Sequence, residues 1–159
     1  MCDTCGCNVT DANRNLVEPG GKHAKTESGH EAVEVLQNLL HENNHRAAHN
    51  REHFDKHGVL AINLMSSPGS GKTALLEATI DALKQTNADL SIAVIEGDLE
   101  TENDAQRIRN KAIPAIQITT GSACHLDAYM VHDALHELNL DGLDIVFIEN
   151  VGNLVCPAS

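Results

Sequence analysis

Val59-Leu60-Ala61-Ile62-Asn63-Leu64-Met65 runs directly into Ser66-Ser67-Pro68-Gly69-Ser70-Gly71-Lys72-Thr73, and this stretch decides the fold. The first part is an apolar run of strand length; the second is a glycine-rich loop that opens a helical pattern from Thr73 to Gln85. Strand, loop and helix in that order make a phosphate cradle. Gly69 and Gly71 let backbone N–H groups converge on an anion, and the helix N-terminus adds the positive end of its dipole. Gly71, Lys72 and Thr73 match the phosphate-loop consensus, while Ser66 stands where that consensus has its first glycine. Charge assigns Lys72 to the β- and γ-phosphates and the Thr73 hydroxyl to Mg²⁺. Pro68, Gly69, Ser70, Gly71 and Ala74 complete the nucleotide-binding loop.

Downstream, strands are expected at Leu90 to Glu96, Ala115 to Thr119 and Leu143 to Ile148, with helices at Glu102 to Lys111 and His125 to Leu138. Alternating strands and helices predict an α/β fold, a mainly parallel sheet with flanking helices and right-handed crossovers. Ligands bind at the carboxyl edge of such a sheet. Asp98, after the second strand, and Glu149, after the fourth, reach that edge, so they are the candidate carboxylate ligands of Mg²⁺.

Upstream, Glu31 to Lys56 is helical in pattern, as one long helix or two shorter ones, with Gly58 as the stop. Residues 1–30 are polar, include Pro19-Gly20-Gly21 and have no sustained periodicity, so they read as a metal-binding head on a flexible linker. The organisation expected is therefore a head and linker over 1–30, a His-rich helical segment over 31–57 and a nucleotide-binding domain over 58–159. The chain ends soon after its fourth strand with no covering helix, which predicts a domain incomplete at its C-terminus and a fragment of a longer protein.

Composition narrows the function. A net charge of −12, from 11 basic against 23 acidic residues, argues against a nucleic-acid partner, because counterion release needs clustered Lys and Arg. No segment reaches membrane-span length and the amino terminus lacks the apolar core of a signal peptide, so no membrane association is expected and the protein reads as cytoplasmic. With 2% aromatic residues, the core must rest on Leu, Ile, Val and Ala, as buried parallel strands with helices do.

Five Cys is an odd number, and Cys2, Cys5 and Cys7 crowd too closely for a disulfide framework, so metal ligation explains them better. Three thiolates with a nitrogen donor suit square-planar Ni²⁺, and a tetrahedral set suits Zn²⁺; sequence does not choose. Cys124-His125 after the third strand and Cys156 after the fourth form a second candidate set for Zn²⁺ or Ni²⁺, against the alternative that each Cys is a buried small hydrophobe. His41, His45, His49, His53 and His57 recur every four residues, so neighbours sit one turn apart and could chelate in pairs. At about 100° per residue the series drifts around the helix, and a solvated polar face explains it equally well.

Six stretches carry a resemblance: MCDTCGC at Met1 to Cys7, HNREHF at His49 to Phe54, NLMSSPGSGKT at Asn63 to Thr73, VIEGDLET at Val94 to Thr101, TGSACHLDA at Thr120 to Ala128 and IENVGNLVCPAS at Ile148 to Ser159. Together they resemble the HypB family of hydrogenase nickel-incorporation GTPases over nearly the whole chain. The resemblance implies a P-loop NTPase fold of the SIMIBI type, in which Ser66 at the first loop position is usual. It implies nickel at Cys2, Cys5 and Cys7, and a second metal site at Cys124, His125 and Cys156. It also implies that Gly152, in Glu149-Asn150-Val151-Gly152, senses the γ-phosphate through its backbone N–H. GTP would be the substrate, Mg²⁺, Ni²⁺ and Zn²⁺ the metals, and a homodimer, the hydrogenase large subunit and a HypA-type nickel-delivery protein the partners. The motif of such families that reads guanine lies beyond Ser159, so guanine preference rests on the resemblance alone. No arginine finger is evident in cis beyond Arg107 and Arg109, so slow hydrolysis is expected.

Three other readings compete: a urease-type nickel accessory G protein, a non-enzymatic nickel or zinc store with a vestigial loop, and a small-molecule kinase. The CxxCGC head and the TGxxCHLDA stretch favour the hydrogenase reading over the first, and no acceptor segment or lid is recognisable for the last.

Overall fold

A computed structural model describes residues 30–98, 103–121, 123 and 125–153, with residues 30–39 and 103 described by their backbone alone. In chain order the elements are α1 (His30–His57), β1 (Leu60–Leu64), α2 (Lys72–Thr86), β2 (Ile92–Asp98), α3 (Asn103–Arg109), β3 (Ala115–Thr119), α4 (Ala128–Glu137) and β4 (Ile145–Glu149). The strands form one sheet in the order β1-β4-β2-β3, and every neighbouring pair is parallel. This is the α/β architecture the sequence predicts.

Each sheet face carries its own core. On one, Ala93, Ile95 and Val146 meet Phe54 of α1, Ala134 and Leu135 of α4, and Val59 and Leu140 from the loops. On the other, Ile92, Val94 and Phe147 meet Leu76 and Ile80 of α2 and Ile108 of α3. Residues Ile92 to Ile95 of β2 thus feed opposite cores in alternation, which is why this part of the strand is apolar on both faces rather than alternating. Leu76 and Ile80 are 0% and 1% exposed, and full burial of such side chains contributes about 1.5–3 kcal/mol each.

Helix boundaries follow from local chemistry. α1 is one helix, closed by Gly58 at φ 69°, with Gly58 N–H donating to Asp55 O and Val59 N–H to Phe54 O. α4 starts at Ala128, three residues later than its apolar pattern suggests, because the Asp127 side chain accepts from Met130 N–H and caps it. β2 runs on to Asp98, two residues past its apolar stretch, because Gly97 and Asp98 still pair with Ile118 and Thr119 of β3.

α1 is bound to α4 by an asparagine-centred network. Ala128 N–H donates to Asn43 Oδ1 (2.8 Å), Asn50 Nδ2 donates to Ala128 O (2.7 Å), and His132 Nδ1 lies 2.9 Å from Asn50 Oδ1. The Arg46 guanidinium sits over the Tyr129 ring at 4.7 Å. Burial, followed by the Arg46 charge, holds His132 below the ordinary imidazole range. β1 is an edge strand among the described residues, with Leu60 57% exposed, and Leu75 on α2 is also exposed. Among the described residues no helix is long and apolar enough to cross a membrane.

Candidate functional site

β1 and β4 lie side by side with Leu64 opposite Glu149, and β2 follows with Glu96 opposite Glu149. The loop after β1, the end of β4 and the end of β2 therefore converge at the carboxyl edge of the sheet. The phosphate loop turns through Gly69 at φ 68° and Gly71 at φ 89°, a left-handed region that side chains rarely tolerate. Gly71 is the N-cap of α2 and supplies no side-chain cap, and the first turn holds no acidic residue. Free N–H groups at the positive end of a helix are an anion site. Ser66 does not need glycine's freedom: its φ is not positive, and its hydroxyl is hydrogen-bonded to that of Ser70 across the loop.

Beneath the loop, Thr73 is buried in the first turn of α2 and its Oγ1 donates to Glu149 Oε1 at 2.8 Å. Glu96 and Glu149 are each 2% exposed and sit opposite one another in register. Burial, then the Glu149 charge and a hydrogen bond with it, then Asp104, push Glu96 up to about 10 against the opposing pull of Lys72. Burial also raises Glu149, while hydrogen bonds from Thr73 and Glu96 and the charge of Lys72 oppose that rise. Glu96 thus keeps a proton at neutral pH and donates it toward Glu149. Glu96 Oε2 and Glu149 Oε2 have no hydrogen-bond partner. Two orphaned carboxylate oxygens beside a hydroxyl form a hard donor set, and it fits Mg²⁺.

The segment after β4 ties this cradle to its neighbours. A Cβ on Gly152 would lie 2.7 Å from Pro68 Cα and 3.1 Å from Lys72 Nζ, so only glycine lets the backbone approach the phosphate loop so closely. Two residues earlier, Asn150 Oδ1 accepts from Leu126 N–H at 2.9 Å, and Asn150 N–H donates to Leu64 O. One residue later, Asn153 O lies 3.1 Å from His125 Nε2. A carbonyl only accepts, so that nitrogen carries a hydrogen.

A model of the CobW/HypB/UreG nucleotide-binding domain matches residues 60–159, which takes in β1, the cradle and the segment after β4. The chain belongs to the CobW/HypB/UreG family. Hydrogenase maturation factor HypB of Cupriavidus necator is 40% identical over 233 aligned positions, covering 99% of this chain and 64% of that protein. Hydrogenase/urease maturation factor HypB of Helicobacter hepaticus is 50% identical over 132 positions, covering 80% of this chain and 52% of that protein. The chain therefore spans between half and two thirds of the length of these relatives. Among solved structures, HypB from Helicobacter pylori in complex with nickel superposes with a TM-score of 0.66 at 48% identity, over 73% of this chain and 54% of that one.

Of the site residues expected for a HypB-like chain, the fold gathers Pro68 to Ala74, Glu149 and Gly152 around one cradle and places His125 on the same edge. Asp98 closes β2, and its carbonyl accepts from Thr120 N–H at 2.9 Å. Cys2, Cys5, Cys7, Cys124 and Cys156 lie outside the described residues, and among the described residues no three His, Cys, Asp or Glu form a ready metal cage. Arg107 is held by Asp104 and Glu77, and Arg109 donates to Ala115 O. Glu96 and Asn150 were not singled out from sequence. Glu96 had one signal, a carboxylate inside an otherwise apolar strand run; Asn150 had none, because its role depends on the approach of β4 to the start of α4.

Proposed function

We propose that this chain is the nickel-handling GTPase segment of a hydrogenase maturation factor, in which the nucleotide state of the cradle sets how tightly nickel is held nearby. One observation carries the reading. Within one five-residue segment, Glu149 and Gly152 meet Thr73, Pro68 and Lys72 on the phosphate side, and Asn150 and Asn153 meet Leu126 and His125 on the other. A shift of this segment on gain or loss of a γ-phosphate would be felt at both ends.

In this reading the loop N–H groups and Lys72 hold the β- and γ-phosphates of GTP, and the Gly152 N–H meets the γ-phosphate. Thr73 and Glu149, with Glu96 and Asp98 at the same edge, would hold Mg²⁺, which supplies charge neutralisation on the phosphates. With Mg²⁺ bound nearby, Glu96 would give up its proton, because an adjacent cation favours the carboxylate form. Nickel is the cargo, taken by Cys2, Cys5 and Cys7 at the head and by Cys124, His125 and Cys156 at the domain, the second set being able to hold Zn²⁺ as well. Hydrolysis to GDP releases the segment, loosens the domain site and hands nickel to the hydrogenase large subunit in the cytoplasm. A homodimer and a HypA-type delivery protein are the expected partners. Hydrolysis is slow in isolation, because Arg107 is committed to its two carboxylates.

Ni²⁺ affinity of the chain with and without a non-hydrolysable GTP analogue tests the coupling. An affinity change is expected, and Lys72→Ala should abolish it while leaving nickel binding in the absence of nucleotide; equal affinities in the wild type would refute it. By linkage, nickel must shift analogue affinity by the same factor. Urease delivery is a second reading, favoured by the Helicobacter hepaticus relative whose name joins both enzymes; complementation of separate hydrogenase and urease deficiencies separates the two.

A further inference from the structure

The histidine series of α1 has no part in the cradle, yet the fold sets one of its members, His49, against the histidines of α4. His132 and His136 are one turn apart on α4, with their Nε2 atoms 3.0 Å apart and their rings nearly perpendicular at 88°. Across the helix interface the His49 ring centroid lies 5.2 Å from that of His132. His53 lies one turn further along α1, its ring 4.9 Å from that of His57.

The orientation of His132 is dictated from below. Asn50 Nδ2 is spent on Ala128 O, so Asn50 turns Oδ1 toward His132 and can only accept. The hydrogen of His132 is therefore on Nδ1, and its Nε2 presents a lone pair. An imidazole held through one nitrogen by a buried amide, with the other nitrogen bare, is how ligating histidines are oriented. Two imidazole nitrogens bound to one ion at about 2.0–2.1 Å and 90–109° stand about 2.9–3.4 Å apart, and the His132 to His136 separation falls in that range.

We propose that His132 and His136, one turn apart on α4, chelate a borderline divalent cation such as Ni²⁺ or Zn²⁺ through their imidazole nitrogens, with water completing its coordination. The cation takes the place of the hydrogen between the two Nε2 atoms, and His136 moves its proton to Nδ1, so no net proton is lost. His136 is exposed, which leaves an entry path. Arg46 is the opposing group: its Nη1 lies 3.3 Å from His132 Nε2, and it must withdraw as the ion enters. The bound ion would sit on α4, the helix that begins directly after His125, Leu126 and Asp127, with Asn50 of α1 holding His132 from below. This inference is independent of the nucleotide coupling proposed above.

Equilibrium dialysis of the full chain against Ni²⁺, with thiolate-to-nickel charge-transfer absorbance recorded in parallel, tests it. The wild type is expected to bind one equivalent that adds no charge-transfer absorbance. His136→Ala, on an exposed side chain, should weaken that equivalent by at least about 10-fold, since even loss of a group that only orients a ligand costs about 10- to 100-fold. Arg46→Gln should tighten it, and His41→Ala, at an 80% exposed side chain, should leave it unchanged. The site is refuted if His136→Ala and the wild type bind the same number of ions with the same affinity. It is refuted equally if the silent equivalent is missing from the wild type, if Arg46→Gln weakens it, or if His41→Ala removes it as fully as His136→Ala does.

Discussion

The Thr73 hydroxyl donates to Glu149 Oε1 over 2.8 Å, fastening the first turn of α2 to the last residue of β4. Both groups are buried, so the bond is made where water cannot substitute for it. It joins the end of the phosphate loop to the segment that continues through Asn150 and Gly152.

Gly152→Ala places a methyl group 2.7 Å from Pro68 Cα, a backbone atom that cannot turn aside. The segment or the loop must retreat, which on the proposed role of Gly152 takes its N–H away from the γ-phosphate. The loss of one charge-assisted hydrogen bond, about 1.5–3 kcal/mol, corresponds to roughly 10- to 150-fold weaker binding of a GTP analogue. GDP binding should change far less, and fluorescent-nucleotide titrations will compare the two. Equal losses for both nucleotides would assign Gly152 to loop packing alone.

Glu96 makes stability depend on pH. Its folded pKa is raised from 4.5 to about 10, so the folded chain binds more protons than the unfolded chain between those values. Its contribution is fully present below the unfolded pKa and is lost progressively as pH rises toward the folded one. Urea midpoints of metal-free protein should therefore fall from pH 5 to pH 9. Glu96→Gln should fall less steeply and be the more stable of the two at pH 8, with Glu149, also raised, accounting for the remaining slope. Parallel pH profiles for the two proteins would contradict a buried protonated Glu96.

Asn150→Ala removes the acceptor of the Leu126 N–H, both groups being buried. An orphaned buried donor costs about 1–3 kcal/mol, measurable as a lower denaturation midpoint. The same substitution cuts one of the two links between the cradle and the residues around His125. The response of Ni²⁺ affinity to a GTP analogue should shrink, with nucleotide affinity itself little altered. A full response in the variant would mean that the coupling runs elsewhere.

The sheet was legible because its strands are apolar on both faces, and the phosphate loop because glycine spacing leaves few alternatives for the backbone. Element ends were less legible. The start of α4 depends on the Asp127 cap, and the last residues of β2 depend on pairing with β3, neither of which hydrophobic periodicity records. The cradle was partly legible: Thr73 and Glu149 are a consensus residue and a strand-end carboxylate. Glu96 was not, because a carboxylate within a strand acquires meaning only when the neighbouring strand sets another one opposite it.

The histidines divide in the same way. Sequence alone determined that α1 carries an imidazole every turn and that a nucleotide loop opens α2, since both follow from residue type and spacing along one element. Only the tertiary structure decided that His49 meets His132, that Glu96 lies buried opposite Glu149, and that residues 149–153 reach both His125 and the loop. These relations join residues far apart in the chain, and strand order, which no local pattern encodes, is what brings them within hydrogen-bond range.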